Sequence, residues 1–174
     1  DANDDQLSFV PDLNLAFMYD SNFRESTFGG GWSDRPALIG VRMLESPSGS
    51  TVFLNGWWRE ADWTAGAETE RNGWVWLSGQ TPPGLTKHST RIGYVPTEPR
   101  DFRVSVTAGP VRLAPGDSAS VTVAVMIAEP APGTFTPGTV VPPGDPLNSN
   151  RQLLRIAAPL LDRAAAAEAL LGSP

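Results

Sequence analysis

The side chains that could perform nucleophilic or acid–base chemistry are few in this chain. It has one histidine, His88, in the polar segment 87–90, and it has no cysteine. A serine-type triad needs a base held beside the nucleophile, and no G-x-S-x-G elbow occurs in the sequence. Thiol catalysis and thiolate metal sites both need cysteine. We therefore interpret His88 as a solvated loop residue and predict that the chain is not an enzyme.

Paired carboxylates are a second source of chemistry, because glycoside hydrolysis needs two of them facing each other across a cleft. Four acidic residues lie in the tryptophan-rich middle of the chain: Glu60, Asp62, Glu68 and Glu70. Acidic residues beside hairpins are usually just solvated. A glycoside hydrolase is therefore a weaker hypothesis than the binding functions considered below.

The acidic start of the chain offers oxygen ligands of the kind that Ca²⁺ prefers. The residues concerned are Asp1, Asp4 and Asp5, and their spacing fits no EF-hand loop. Two interpretations stand here, a Ca²⁺ site and, by default, a solvated terminus. No other cofactor is predicted.

Tryptophan supplies the strongest candidates for binding. Five of the six tryptophans lie between positions 57 and 76. Indole rings fill cores, stack on sugar rings or anchor protein interfaces, because they bury a large area. Neighbouring residues in a strand face opposite sides, so Trp57 and Trp58 cannot share one core. Core packing and a binding surface both remain open, and the candidate interaction residues are Trp57, Trp58, Trp63 and Trp74.

The elements that must position these residues are mainly strands. The chain contains 17 glycines and 17 prolines and only 18% charged residues, a composition typical of short strands joined by turns. We predict an entry loop over 1–12, strands over 13–20 and 37–44, and a turn at 46–49. Asn-Gly between β-rich runs is a strong hairpin signal, and it occurs at Asn55-Gly56 and at Asn72-Gly73.

The second half of the chain changes from strand to helix patterning. Phe102 and a series of valines alternate with other residues over 102–107 and 121–126, on either side of a turn at 114–117. This alternation predicts strands with one buried and one wet face. Six prolines over 129–147 predict an extended linker or a strap across the surface. Apolar residues at helical spacing, including Leu153 and Leu160, then predict a helix over 148–172. Pro159 predicts a kink or two abutting helices, and the apolar stripe must dock on this domain or on a partner.

These elements together predict an all-β fold. We expect an antiparallel β-sandwich of Ig-like or jelly-roll type over 1–128, followed by the strap and the helix. The net charge of −6, without a basic cluster, argues against nucleic acid as a partner. No apolar run is long enough to span a membrane. The chain begins at Asp1 rather than Met, so we expect a processed product or a fragment of a larger protein.

Residues 101–128 (DFRVSVTAGPVRLAPGDSASVTVAVMIA) resemble a module common in large exported bacterial proteins of no assigned activity. In that module a Gly-Pro step precedes Leu-Ala-Pro-Gly-Asp-Ser and an alternating valine strand, and a helix follows. Upstream, 11–20 and 40–47 are similar to other parts of it. The short, tryptophan-rich middle and the strap depart from the pattern. The resemblance implies a β-sandwich and a periplasmic, secreted or cell-surface location, and it transfers no catalytic residue.

The predicted function is a non-catalytic structural or protein-interaction module of an exported protein. One alternative is an accessory subunit that docks on a larger membrane-associated envelope complex and stabilises it. A second is carbohydrate binding through exposed tryptophan, with Trp58, Trp63 or Trp74 as the stacking residue. The apolar helix stripe at Leu153 and Leu160 is a further candidate for protein contact.

Overall fold

The computed structural model describes residues 4–24, 35–58, 74–75, 77–78, 80, 89–93, 99, 102–142 and 151–171. Within these ranges, strands form two antiparallel sheets and two consecutive helices follow them. The strands are β1 Asp5–Val10, β2 Leu15–Asp20, β3 Leu38–Glu45, β4 Thr51–Trp58, β5 Phe102–Gly109 and β6 Thr122–Ala128. The helices are α1 Arg151–Ile156 and α2 Ala158–Leu171. The predicted β-rich architecture with a C-terminal helix is confirmed.

The larger sheet has the strand order β1-β2-β3-β6. β1 occupies part of the segment predicted as an entry loop, and that prediction was wrong. Its polar residues Gln6 and Ser8 are buried, while Leu7 and Phe9 face the opposite side of the sheet. A tight Pro11–Leu13 turn, closed by Asn14 in the left-handed conformation, leads into β2. Polar and apolar residues alternate in β1, which is itself typical of a strand. The acidic residues at the start of the chain led instead to the prediction of a loop.

One face of the larger sheet is covered by the helices and the strap, and we call the intervening cluster the first core. Alternate residues of β2 face it, and α2 packs over β3 and β6. Gly40 permits this close approach, because a Cβ there would lie 3.1 Å from Cδ2 of Leu160. The members of the first core are Leu15, Phe17, Tyr19, Phe23, Leu38, Met126, Ala128, Val141, Leu153, Ile156, Ala157, Leu160 and Ala164.

The strap closes the first core at the end of β2. The backbone N–H of Val141 donates to the carbonyl of Ser21 at 2.6 Å, and that of Gly138 donates to the carbonyl of Asn22 at 2.8 Å. The hydroxyl of Tyr19 donates to the carbonyl of Val141 at 3.2 Å, and burial raises the pKa of this phenol above its usual value. These hydrogen bonds hold the strap against the end of β2.

The opposite face of the larger sheet packs against the smaller sheet, which consists of β4 and β5. We call the cluster between the two sheets the second core, and its buried members are Leu7, Phe9, Ala16, Met43, Val52, Leu54, Ile92 and Phe102. The predicted hairpin turn at Asn55-Gly56 was wrong, because both residues lie inside β4, opposite Ser105 and Val104. Gly56 is needed for close approach rather than for a turn, as glycine within a strand often is.

A short parallel contact extends the smaller sheet on the other side of β4. The backbone N–H of Leu54 donates to the carbonyl of Arg91 at 2.8 Å, and the N–H of Gly93 donates to the carbonyl of Leu54 at 3.0 Å. The guanidinium of Arg91 also donates to the side-chain oxygen of Asn14 and to the carbonyl of Val52. Arg91 therefore ties the β1–β2 turn to β4.

The C-terminal segment forms two abutting helices, as Pro159 predicted. α1 ends at Ile156 and α2 begins at Ala158, so the break comes just before the proline, which has no N–H to donate. Leu153 and Leu160, candidates for protein contact from the sequence, are instead buried in the first core. The sequence left open whether the apolar stripe docks on this domain or on a partner. In the structure α2 packs on the larger sheet of this domain. None of the described helices is long and apolar enough to cross a membrane.

Candidate interaction surface

One face of β6 and its neighbour β3 carries several exposed apolar side chains. Val123, Val125 and Ile127 are exposed on β6, and Ile39 is exposed directly opposite Ile127 on β3. We call these four residues the valine face. Val125 is 69% exposed and Ile127 is 56% exposed. These side chains lie on the same side of the sheet as the second core.

The strand that alternation predicts at β6 is present in the structure. Its more apolar side, with Val123, Val125 and Ile127, is however the exposed side. Met126 and Ala128, together with the partly buried Ala124, face the first core beneath α2. The helix approaches the sheet closely there, which small side chains permit. The β-branched residues consequently occupy the other side, where they remain in solvent.

The smaller sheet does not extend over the valine face. β5 contacts β1, β2 and β3, and its residues Val104, Val106 and Ala108 pack on the second core. The chain then leaves β5 through 110–121, whose residues are all exposed. Val111, Leu113 and Val121 in this connection add to the exposed apolar surface that leads into β6.

β6 is also an end strand of the larger sheet. Among the described residues it has β3 as its hydrogen-bonded neighbour and no strand on its other side. Its sequence TVAVMIA contains no charged residue and no proline, the devices with which proteins usually block an end strand. An apolar face and an unblocked strand edge therefore meet at one element.

A second exposed feature is a cavity of about 540 Å³ beside the end of β5. Trp74 lines it and is 63% exposed, and Phe53, Pro110 and Val111 contribute further apolar walls. Ser78 and Gln80 add polar groups, although the hydroxyl of Ser78 already donates to the carbonyl of Val75. A flat indole beside a few polar groups is an arrangement that accepts an amphipathic ring.

Asp4 and Asp5 lie near a third carboxylate, Asp20, that the sequence pattern did not single out. Asp5 lies opposite Asp20 in the β1–β2 ladder, and Asp4 accepts a hydrogen bond from the side-chain amide of Asn22 at 3.1 Å. One oxygen of Asp20 accepts the backbone N–H of Asn22 at 2.9 Å. No group of three metal-ligating residues occurs in the part of the chain that the structure describes. The Ca²⁺ site at Asp1, Asp4 and Asp5 stays a prediction.

Several residues singled out from the sequence lie outside the described ranges. They are Asp1, Glu60, Asp62, Trp63, Glu68, Glu70, Asn72, Gly73, Trp76 and His88, together with the side chains of Trp57 and Trp58. Of the candidate tryptophans, Trp74 is thus the one whose surroundings are known. The valine face was missed in the sequence because alternation identifies two faces of a strand without saying which of them a neighbouring layer covers.

No protein-family model, curated protein or solved structure matches the chain. Functional inference therefore rests on the surfaces described above.

Proposed function

We propose that this chain is a non-catalytic protein-interaction module of an exported protein, and that the valine face on β6 is its contact surface. The observation that carries the proposal is the exposure of β-branched side chains on an unblocked end strand. The exposed apolar residues of β3 and β6 amount to on the order of 400 Å², which is the size of the largest apolar patch on a typical monomer, and such patches are often functional. A partner that covers this face gains the free energy of removing it from water.

The finer fold assignment belongs to the same proposal. Two facing antiparallel sheets with the second core between them support a β-sandwich of Ig-like or jelly-roll type. The resemblance of 101–128 to modules of exported bacterial proteins supports a periplasmic or cell-surface location. An accessory subunit of a membrane-associated envelope complex is an alternative form of this function, in which the complex would cover the valine face.

The test is the native mass of the tagged chain in a gentle detergent extract of its source cells. We expect a complex much larger than the 18.6 kDa chain. Val125→Lys should abolish the complex, because a lysine on the valine face would have to be desolvated on binding. Val140→Lys is the matched control, since Val140 is 60% exposed and lies on the strap. Migration as the free chain, or a complex unaffected by Val125→Lys, contradicts the proposal.

A second candidate function, carbohydrate binding, is supported by the exposed Trp74 beside its cavity. A sugar ring would stack on the indole while Gln80 offers its amide to a hydroxyl. Titration with oligosaccharides should change the tryptophan fluorescence of the chain, and Trp74→Ala should remove the change. A response that persists in Trp74→Ala, or none at millimolar sugar, contradicts this candidate.

A further inference from the structure

We propose that the cavity beside Trp74 binds an uncharged pyranose with equatorial hydroxyls, as in a β-linked glucan, and that it rejects acidic sugars. This inference rests on the second candidate function, because it names the ligand class of the same site. Three properties of the cavity support it: the exposure of its indole, the absence of charge from its described lining, and the hydrogen-bonding groups that remain available there.

The exposed indole determines which face a ligand must present. The side chain of Trp74 is 63% exposed, and Phe53, Pro110 and Val111 provide further apolar walls beside it. The negative face of an aromatic ring attracts positively polarised hydrogens, and the C–H groups of a pyranose form such a surface. An axial hydroxyl would hold the sugar away from the indole, so a ring with equatorial hydroxyls fits best. The cavity volume of about 540 Å³ lies within the range of small-ligand sites.

The charge of the lining separates neutral sugars from acidic ones. Among the residues that the structure describes, the cavity is lined by apolar side chains together with Ser78 and Gln80, and none of them is charged. A carboxylate or sulfate would lose water there without gaining a cation, and burying an unpaired charge is costly. The net charge of −6 on the chain also repels anionic polymers. A neutral sugar avoids both penalties.

The polar groups of the cavity match a hydroxyl. The hydroxyl of Ser78 donates to the carbonyl of Val75 at 2.9 Å, so its oxygen is left as an acceptor. Gln80 is exposed, and its side-chain amide offers both donors and an acceptor. A sugar hydroxyl can pair with either group. An apolar ligand would cover both without pairing them, and a proline-rich peptide has few N–H groups to donate to Ser78.

Calorimetric titration of the purified chain with two oligosaccharides of equal length tests the ligand class. One is a neutral β-linked glucan and the other is an oligomer of uronic acid. We expect the glucan to bind at least about tenfold more tightly. Trp74→Ala should weaken glucan binding about tenfold or more, whereas Trp74→Phe keeps an aromatic face and should retain part of it. Val140→Ala, at an exposed position on the strap, is the control and should leave binding unchanged.

Gln80→Lys supplies a second readout, because it places a cation at the cavity. This substitution at an exposed position should leave the melting temperature unchanged and narrow the preference for the glucan. Tighter binding of the acidic oligomer by the unsubstituted chain overturns this inference but leaves the carbohydrate-binding candidate standing. Absence of binding by either oligomer, or glucan binding unaffected by Trp74→Ala, overturns both. A response to a proline-rich peptide alone, lost in Trp74→Ala, also overturns both and assigns the cavity to a protein ligand.

Discussion

A Cβ atom placed on Gly56 would lie 2.1 Å from Cδ1 of Leu7, so β4 and β1 pack together only because position 56 carries no side chain. We predict that Gly56→Ala lowers the free energy of unfolding by about 1–3 kcal/mol or more, since the second core must shift to admit the methyl group. Chemical denaturation measures the change. Gly109→Ala is the control, because no atom lies within 4 Å of a Cβ there. Equal effects of the two substitutions would contradict this account of the second core.

The docking of α2 on the sheet predicts unequal roles for its leucines. Leu160 is fully buried against Gly40 and the first core, whereas Leu170 is 77% exposed. Leu160→Ala should cost about 2–5 kcal/mol of unfolding free energy, and Leu170→Ala should leave it nearly unchanged. Thermal unfolding of the two variants measures the difference. A large loss from Leu170→Ala would show that the helix docks differently.

Arg42 links β3 to α2 through an ion pair with unequal partners. Its guanidinium lies 2.7 Å from Glu168 and donates to the carbonyl of Ala164, and its side chain is buried while that of Glu168 is exposed. An ion pair open to solvent on one side is worth little, so Glu168→Ala should cost less than about 1 kcal/mol. Arg42→Ala should cost several times more, because packing and the donor to Ala164 are both lost. Arg42→Met retains the stem and should lie between the two, as urea titrations can establish.

Tyr19 predicts a loss of stability at high pH. Burial raises the pKa of its phenol in the folded chain, while the unfolded chain keeps the usual value of about 10. The stabilisation is complete below pH ~10. As the pH rises further, the unfolded state loses the proton first, and the free energy of unfolding falls by up to about 1.4 kcal/mol per pH unit. Tyr19→Phe should flatten this part of the stability curve, and an unchanged slope would show that other groups cause it.

The sequence predicts those elements of this fold whose signals are local. β3, β5, β6, the Ala114–Asp117 turn and the helix break beside Pro159 all follow from short patterns. In the turn, the backbone N–H of Asp117 donates to the carbonyl of Ala114, and the carboxylate of Asp117 accepts the N–H of Ala114. Gly56 shows the limit of such reasoning. An Asn-Gly step has the same appearance whether it provides a turn or a close approach, and only the position of Leu7 in space distinguishes the two.

The candidate surface was harder to predict than the fold for a related reason. Exposure of the valine face depends on where the smaller sheet ends, and that end is set by packing between distant segments. Trp74 could be named from its residue type alone, because a large aromatic side chain is a binding candidate wherever it is exposed. Val125 could not, since valine in a strand is most often buried.

The pairing of β3 with β6 joins segments far apart in the chain, as the hydrogen bond from Thr122 to Glu45 across 77 positions shows. In the sheet β3 lies between β2 and β6. During synthesis one edge of β3 therefore stays unpaired until β6 has been made. Loop closure over such a distance slows folding, and sheets built from distant segments commonly form in milliseconds to seconds rather than microseconds. Throughout that interval an apolar strand edge is available to other chains, so the topology makes the yield of folded protein depend on its concentration.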